Sequence, residues 1–511
     1  MSDRLRMTGL ASGMDTQSIV EQLVEVKSYK KTDLKNEQTK LGWKQEAWKD
    51  LNKKMYSFYT GKLGEMRFEG FFDKKKANIV DSSIASVSAE GNAVSGTQAL
   101  AVKQLAKTHY ITSRNYGDDV TGSTKAAEAM GLGDTDVPKT LEVNGKKIEI
   151  TSETTMKELA DGFAKAGLNA NFDNATHRLF VSAKESGEAG KFDIKVLDEN
   201  GIAQDDPDFV EKMGLSEDGG ASVVTGQDAK ILLNGAEFTS STNSFNVNGL
   251  SITATKVSEK LSDDESKNDY VTTNVSVDTD VDGIYDSIRD MFKEYNDLIN
   301  EMSKLYNADS AKDYKVLSEE EKDAMSDEEV EKWEQKIKDS LLRRDDNLRS
   351  ALETFKSGMI ASFDIKGETT SLGTFGIGTL SYFDAAENER YALHIDGNAD
   401  DTVTSSKTDK LRDAITNNLD SVKSFFSQMT SAMYKTMTKQ MSSTEYRSVY
   451  NMYDDKALQS EYDKYSKDIA KEEEKLSDYE DKWYDKFAKM ESAMEKINSK
   501  SNSIASLFGM Q

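Results

Sequence analysis

Metal-binding or acid–base chemistry in this chain would depend first on His109, His177 and His394, which fall in three different predicted elements. None has another histidine or an acidic residue at ligand spacing on one helix face, so no zinc site is expected. The sequence contains no cysteine, which excludes thiolate ligands, a cysteine nucleophile and disulfides. No motif places a serine beside a histidine. We therefore predict no catalytic residues, no cofactor and no metal, and interpret the chain as a non-enzyme.

Two short segments resemble ligand-binding loops without completing them. The segment GTFGIG (residues 373–378) lacks the third glycine of a dinucleotide fingerprint and the Gly-Lys-Ser/Thr of a phosphate loop, so it predicts tight turns between strands. The segment DTDVDG (residues 278–283) matches the first half of an EF-hand loop. Its twelfth position is Arg289, where calcium requires a bidentate glutamate, so this segment predicts a polar strand-to-helix junction.

Charge and hydropathy exclude two further classes of protein. The 511 residues carry a formal net charge of −25 and show no basic stripe, so no nucleic-acid partner is expected. No apolar run reaches the length of a membrane span, which predicts no membrane insertion. Arg4 and Arg6 imitate the start of a signal peptide, but polar residues between Asp15 and Gln22 interrupt the apolar region that must follow. We predict no cleaved signal peptide.

The two ends of the chain both predict long helices with a one-sided apolar stripe. Residues 15–68 form the first, with Asp15 or Ser18 as the cap and Ser18 with Glu21 as a capping box. Its stripe keeps a heptad repeat with one stutter between Val26 and Leu34. Its candidate partner- and oligomer-binding residues are Ile19, Leu23, Val26, Leu34, Leu41, Trp48 and Leu51. Those of the C-terminal stripe are Tyr465, Ile469, Leu476, Tyr479, Trp483, Phe487 and Met490.

A one-sided stripe needs a partner, and we expect the two terminal helices to pair with each other. The alternative is two separate surface helices, each packed on its own globular domain. Either arrangement leaves residues 78–257 between the stripes, where alternating and β-branched residues predict strands. Asn144-Gly145 marks a hairpin turn within residues 141–150, and further Asn-Gly turns break the strands of residues 229–257.

Helical patterns also occur inside the chain. Residues 154–167 predict a helix, followed by strands at residues 177–183 and 191–197. Residues 281–306 carry an apolar face at helical spacing, formed by Ile284, Ile288, Met291 or Phe292, Tyr295, Leu298 or Ile299, Met302 and Leu305. Residues 318–339 predict a highly charged, exposed pair of helical segments.

This order predicts an α+β multidomain fold in which long terminal helices form a coiled-coil leg and nested β-rich and α+β modules are inserted between them. The predicted domains are a helical leg, 1–40, paired with the C-terminal helix, 455–511; a middle domain of 41–77 and 280–454; a β-rich plate of 78–125 and 225–279; and an inserted α+β outer domain, 126–224.

Residues 9–23, GLASGMDTQSIVEQL, resemble the N-terminus of the flagellar filament cap proteins, the hook-associated protein two family. Further similar segments follow in the family's order: residues 99–107, the strand module of residues 229–257, residues 292–302 and residues 391–427. Two features depart from the family. Thr239 to Asn243 lack an arginine usual in that region, and the helices of residues 318–339 are longer, so the detail of the outer modules differs.

The resemblance implies a structural assembly protein that caps the growing filament. It implies export through the flagellar type III apparatus, location at the extracellular flagellum tip, and a homo-oligomeric ring, a pentamer or similar, that promotes ordered flagellin polymerisation. Implied partners are further copies of the chain, flagellin at the filament tip and an export chaperone, with adhesion to mucin or a host surface as an added role. The alternatives are an extracellular adhesin and a hook–filament junction protein. In this interpretation residues 9–13 are a flexible, exportable lead.

Overall fold

The computed structural model describes residues 12–133, 135–261 and 269–507. The chain divides into two compact units, one formed by the sequence up to Phe72 and from Val281 onward, the other by Asp73–Asp280. Of the predicted N-terminal lead, residues 9–11 lie outside the described residues.

The first unit begins with three helices where the sequence predicted one. They are α1 (Thr16–Lys27), α2 (Tyr29–Thr60) and α3 (Lys62–Met66). The first break falls at Ser28, whose Oγ donates to the carbonyl oxygen of Glu25 at 2.7 Å and so satisfies the end of α1. This break lies in the predicted stutter between Val26 and Leu34, so the change in repeat marks a real interruption.

The cap of α1 is Asp15, whose Oδ1 accepts from the backbone N–H of Ser18 at 3.0 Å. The predicted capping box of Ser18 and Glu21 is wrong, because Ser18 already lies inside the first turn and leaves no free N–H for Glu21 to cap.

The second unit contains sixteen strands and three helices among its described residues. They are β1 (Lys75–Ile79), β2 (Ala85–Ala89), β3 (Gly96–Gln104), β4 (Thr108–Thr112), α4 (Ala126–Met130), β5 (Lys139–Val143), β6 (Lys146–Ile150), α5 (Met156–Lys165), β7 (Asn169–Asp173), β8 (Arg178–Ser186), β9 (Lys195–Leu197), β10 (Ala203–Gln204), α6 (Pro207–Lys212), β11 (Ser222–Val224), β12 (Ala229–Leu233), β13 (Ala236–Ser240), β14 (Ser244–Val247), β15 (Leu250–Ala254) and β16 (Thr273–Thr279). Only residues 195–197 of the strand predicted at 191–197 are extended and paired.

Two β modules make up this unit, one inserted in the other. The outer part of the sequence forms an antiparallel sheet of order β1-β16-β3-β12-β13 and a smaller one of order β14-β15-β2, over a shared apolar core. The inserted part forms sheets of order β11-β4-β8-β7 and β10-β9-β5-β6, with α5 packed on them over a second core. Because β4 pairs with β8 and β11, the sheets of the inserted module draw on residues before the predicted boundary at 126. Likewise β1 begins before residue 78.

Asn-Gly pairs close the hairpins, as predicted. At Asn144-Gly145 between β5 and β6 the φ angles are 50° and 71°. The same pair of positive angles occurs at Asn234-Gly235 and Asn248-Gly249. At Gly249 an added Cβ would lie 2.6 Å from the Asn92 side chain, so close approach as well as backbone angle requires glycine there.

The remaining elements belong to the first unit. They are α7 (Val281–Tyr306), α8 (Glu319–Asp323), α9 (Asp327–Ser340), α10 (Asp346–Met359), β17 (Phe363–Ile365), β18 (Glu368–Thr370), β19 (Ile377–Gly378), β20 (His394–Ile395), α11 (Lys410–Asn417), α12 (Leu419–Gln440) and α13 (Asp455–Leu507). One large core joins α2, α3, α7, α10, α11 and α12. The predicted apolar face of α7 is confirmed from Ile284 to Met302, and Leu305 packs at its margin. The predicted fold class is confirmed.

The two loop-like segments are structural. Residues 278–283 span the end of β16 and the start of α7. Residues 373–378 cover most of a 3₁₀ turn, Leu372–Phe375, then Gly376 with a φ angle of 70°, and then β19. His109 stacks on Phe192, with ring centroids 4.4 Å apart, and His394 Nδ1 lies 2.6 Å from Asp401 Oδ2. Within the described ranges no three metal-ligating side chains cluster. No helix of these ranges is both long and apolar enough to cross a membrane.

Candidate assembly interface

The terminal helices pair with each other along the first unit. Lys30 Nζ lies 2.7 Å from Glu472 Oε1, and Gln38 Nε2 donates to Ser466 Oγ at 2.6 Å. Farther toward the N-terminus, the backbone N–H of Ser12 donates to Glu491 Oε2 at 3.2 Å. Residue numbers rise along α1 and α2 while they fall along α13, so the helices run antiparallel.

Polar contacts at the edges fix the register of this pair. Lys30 also donates a hydrogen bond to Glu472, which raises the pKa of the lysine, and together with Lys475 it lowers the pKa of the Glu472 carboxyl. Lys27 Nζ lies 5.7 Å from the ring centroid of Tyr479, a cation–π contact. A shift of the helices by one turn would break these contacts together.

This ion pair predicts a pH dependence of stability. Because the folded pKa of Glu472 is lowered, its contribution is present above the unfolded value, 4.5, and is lost as the pH falls through the folded pKa. Thermal melts should therefore show Glu472→Gln less stable than wild type near neutral pH, with the gap closing as the pH falls through the lowered folded pKa of Glu472. The control is Glu474→Gln on the same helix, which should melt like wild type at both pH values. A gap that persists in acid would contradict the assignment.

The predicted stripe of α1 is only partly in the interface. Leu23 is half-buried, as is Leu34 near the start of α2, but Ile19 is 38% exposed and Val26 is 76% exposed. Val20 and Thr16, which the sequence analysis did not select, are buried instead. Within α1 the selected face therefore lies about one residue, which is 100° around a helix, from the face that is buried.

Trp48 and Leu51 lie deeper than an assembly seam. Both are fully buried in the large core of the first unit, and the Trp48 ring stacks on Tyr453 with centroids 5.1 Å apart and an interplanar angle of 6°. Leu41 is the transition point, since it is buried at the edge where α2 leaves the core. The stripe of α2 therefore serves two purposes, core packing from Trp48 onward and helix pairing before it.

On α13 the stripe is mostly half-buried. Ile469 is buried, whereas Tyr465, Leu476, Tyr479, Trp483, Phe487 and Met490 keep part of their surface exposed. The three aromatic rings form a ladder, with centroid distances of 6.2 Å from Tyr479 to Trp483 and 6.0 Å from Trp483 to Phe487. Such side chains retain apolar area that a further partner can bury.

Asn52 and Arg447 hold the start of α13 in place, and sequence reasoning missed both. Asn52 Nδ2 donates to Asn451 Oδ1 at 2.9 Å and to the Tyr450 carbonyl oxygen at 3.2 Å, while its Oδ1 accepts from the Met452 N–H at 2.8 Å. Arg447 binds Asp454 through Nε and Nη2 at 3.1 and 2.9 Å. The one sequence signal for this clamp was the position of Asn52, a polar residue on the apolar face of α2.

Replacing Asn52 with alanine should destabilise the protein by roughly 1–3 kcal/mol, because the buried N–H of Met452 loses its acceptor. Urea unfolding measures the loss. Asn36→Ala on the same helix is the matched control and should change the free energy of unfolding by less than about 0.5 kcal/mol. Equal effects of the two variants would show that helix propensity, not the clamp, is responsible.

The charged segment at residues 318–339 forms two helices, as predicted, but it is not merely exposed. Ile337 of α9 is buried, and Lys338 Nζ lies 4.8 Å from the ring centroid of Trp43 on α2. Next to it, Lys44 Nζ pairs with Asp345 Oδ2 at 2.8 Å. These contacts brace α2 at the point where it leaves the core.

Four large apolar side chains of the described terminal helices are exposed, at two places along the pair. Val26 and Tyr29 are exposed on either side of the break at Ser28, and Ile497 and Ile504 are exposed toward the C-terminal end of α13. Exposed apolar side chains of this size are candidate contact points for other proteins. We call these four residues the open strip.

Antiparallel terminal helices, with two nested β modules inserted between them in the sequence, define an elaborated α+β protein. Family models account for most of the sequence. The model described as "Flagellar hook-associated protein 2 C-terminus" matches residues 226–499, and the one described as "Flagellar hook-associated protein 2 N-terminus" matches residues 12–109. The chain therefore belongs to the flagellar hook-associated protein 2 family, whose members are structural flagellar cap proteins.

Similar proteins agree with this family. The chain is 24% identical over 412 residues to the flagellar hook-associated protein 2 of Halalkalibacterium halodurans, covering 74% of this chain and 73% of that protein. It is 26% identical over 318 residues to the A-type flagellar hook-associated protein 2 of Pseudomonas aeruginosa, covering 60% and 64%. The D1-D2-D3 domains of the flagellar cap protein FliD from Escherichia coli have a similar fold, with a TM-score of 0.51 at 18% identity over 82% of this chain and 99% of that one.

Proposed function

We propose that this chain caps a flagellar filament at its extracellular tip. Copies assemble into a ring, and the paired terminal helices dock onto the end of the filament and guide incoming flagellin into ordered polymerisation. The open strip supports this most directly, because Val26, Tyr29, Ile497 and Ile504 present apolar surface that the described part of the chain leaves uncovered.

The predicted seam residues divide between two roles in this proposal. Leu23, Leu34, Ile469 and Leu476 hold the two terminal helices together. The aromatic ladder, Tyr479, Trp483 and Phe487, with Tyr465 and Met490, keeps partial exposure and offers a second face to flagellin or to another copy. An export chaperone would cover the same apolar surface before export, since both binding events bury the same side chains. The absence of cysteine suits export as an unfolded chain.

The test is complementation of a bacterial strain that lacks this chain. Removing residues 1–40 deletes α1 and the start of α2, and should abolish filament growth while the second unit, Asp73–Asp280, stays folded. Immunogold labelling of the full chain should mark the filament tip. Full-length filaments from the truncated chain would overturn the proposal, and label at the hook–filament junction would favour the junction alternative.

Adhesion to mucin or a host surface stays a prediction as an added role. The full chain should be compared with a control of equal net charge for binding to immobilised mucin. Equal binding removes the adhesin alternative and leaves the capping proposal unchanged.

A further inference from the structure

An exposed aromatic loop projects from the first unit. Phe383 is 94% exposed, and its ring packs edge-on against Tyr382 with centroids 5.7 Å apart. The Arg390 guanidinium lies 4.2 Å from the Tyr382 ring centroid and forms a cation–π contact with it. Residues 381–390 contain three carboxylates, Asp384, Glu387 and Glu389, against this one arginine, so the loop is acidic. We call it the acidic tip.

The tip is anchored to the unit at its C-terminal end. Leu393 exchanges two hydrogen bonds with the Asn296 side chain on α7, at 2.7 and 2.8 Å, and Lys356 Nζ of α10 lies 3.6 Å from the Tyr391 ring centroid. Ser381 Oγ donates to Asp384 Oδ2 at 2.6 Å. An anchored loop that displays a nearly bare phenylalanine resembles a binding element, since ordering it costs little further entropy on binding.

A cleft of about 460 Å³ between α3 and α12 has the opposite character. It is lined by Gly64, Glu65, Arg67, Phe68 and Tyr434, and Phe68 is exposed at its rim. The Arg67 guanidinium lies 4.5 Å from the Phe68 ring centroid and 4.3 Å from that of Tyr434. We call it the arginine cleft.

Arg67 is available to a partner. Its Nε donates to the Gly64 carbonyl oxygen at 3.0 Å, but among the described residues its two terminal nitrogens have no carboxylate partner. Lys435 and Lys439 follow Tyr434 along the exposed side of α12, and neither forms an ion pair with a described residue. Glu65 and Arg67 are the two charged residues of the lining, and the two lysines lie beyond it on α12.

We propose that the acidic tip of one copy inserts into the arginine cleft of the next, with Phe383 against Phe68 and Tyr434 and with Asp384 paired to Arg67. Aromatic and charge complementarity both select this occupant, and every copy carries both elements. The tip is anchored on α7 and α10, whereas the cleft lies between α3 and α12. Two different parts of the surface would meet, so the contact is head-to-tail, and such a contact forms a ring when its rotation closes and an open assembly when it does not.

The chain lacks cysteine, so single cysteines report this contact without background. Full-length Phe383→Cys and Phe68→Cys, mixed under mild oxidation, should give a covalent dimer on non-reducing gels. The yield should exceed that of Ile360→Cys mixed with Phe68→Cys by at least about tenfold, because the assembled contact raises the local thiol concentration. Ile360 is 79% exposed in the same unit and serves as the control.

A charge exchange gives an independent readout. Asp384→Arg and Arg67→Asp should each reduce oligomer mass in analytical ultracentrifugation, and the double variant should restore it. Control-level crosslinking, or Phe383→Cys pairing with itself or with flagellin instead, would overturn the inference. The inference rests on the proposed function only in expecting copies to assemble. If the protein is found at filament tips but the crosslink does not form, this inference is wrong and the capping proposal stands. If the crosslink forms in rings, and disrupting the rings leaves filament growth unchanged, the capping proposal is wrong.

Discussion

Replacing Trp48 with alanine should lower the free energy of unfolding by about 3–5 kcal/mol, the largest stability effect we expect from one substitution. Trp48 has no exposed surface, lies in the main core of the first unit and stacks on Tyr453. Tyr453 lies two residues before α13, so the cavity would also loosen the point from which that helix starts. Urea unfolding, followed by circular dichroism, measures the change.

Trp48→Phe is the matched control. The Trp48 indole nitrogen is buried and has no hydrogen-bond partner among the described residues, so phenylalanine removes an unsatisfied donor while it keeps a ring against Tyr453. Its cost should stay below about 1.5 kcal/mol. Similar large losses for both variants would mean that the indole donor is satisfied in solution and that stacking is not the main contribution.

The second large effect concerns function rather than stability. Val26→Gln combined with Ile497→Gln should leave the unfolding midpoint unchanged but strongly reduce filament growth, with flagellin released into the medium. Both side chains belong to the open strip, and each would lose roughly 1.5–3 kcal/mol of burial on docking. Their sum corresponds to a weakening of at least about a hundredfold in docking affinity. Glutamine is a good helix former, so α1 and α13 should persist.

The control places the same changes on the β modules. Val80 and Ile202 are 82% and 60% exposed in the second unit, close to the values of the open-strip pair. Val80→Gln with Ile202→Gln should grow normal filaments. Loss of growth in both double variants would indicate a general surface effect, and normal growth in both would remove the open strip from the docking proposal.

Local patterns predicted what depends on neighbours in sequence. The Asn-Gly pairs predicted the hairpin turns, because such turns require αL angles at both positions. The apolar spacing of residues 281–306 predicted the buried face of α7. Residues 278–283 were predicted to be a strand-to-helix junction because Arg289 occupies the position where an EF-hand loop requires glutamate, and they do join β16 to α7. In each case the physical requirement acts within a few residues.

The interface depended on information that spacing does not carry. Val20 is buried and its neighbour Ile19 is 38% exposed, and which of two adjacent apolar residues is covered depends on the helices packed beside α1. The clamp of Asn52 on the turn before α13 joins residues 399 positions apart. The separation of core from seam along α2 likewise follows from which helices surround Leu41 and Trp48, a property of the folded unit.

The break at Ser28 has a consequence for the alignment of the terminal helices. α13 is continuous for 53 residues, which is about 80 Å of helix. The helices that pair with it, α1 and α2, are separated at Ser28. The register of the pair is therefore set by one uninterrupted helix, and the N-terminal side supplies it in two pieces. The ion pair of Lys30 and Glu472 lies just past Ser28, so it aligns α2 with α13 independently of α1.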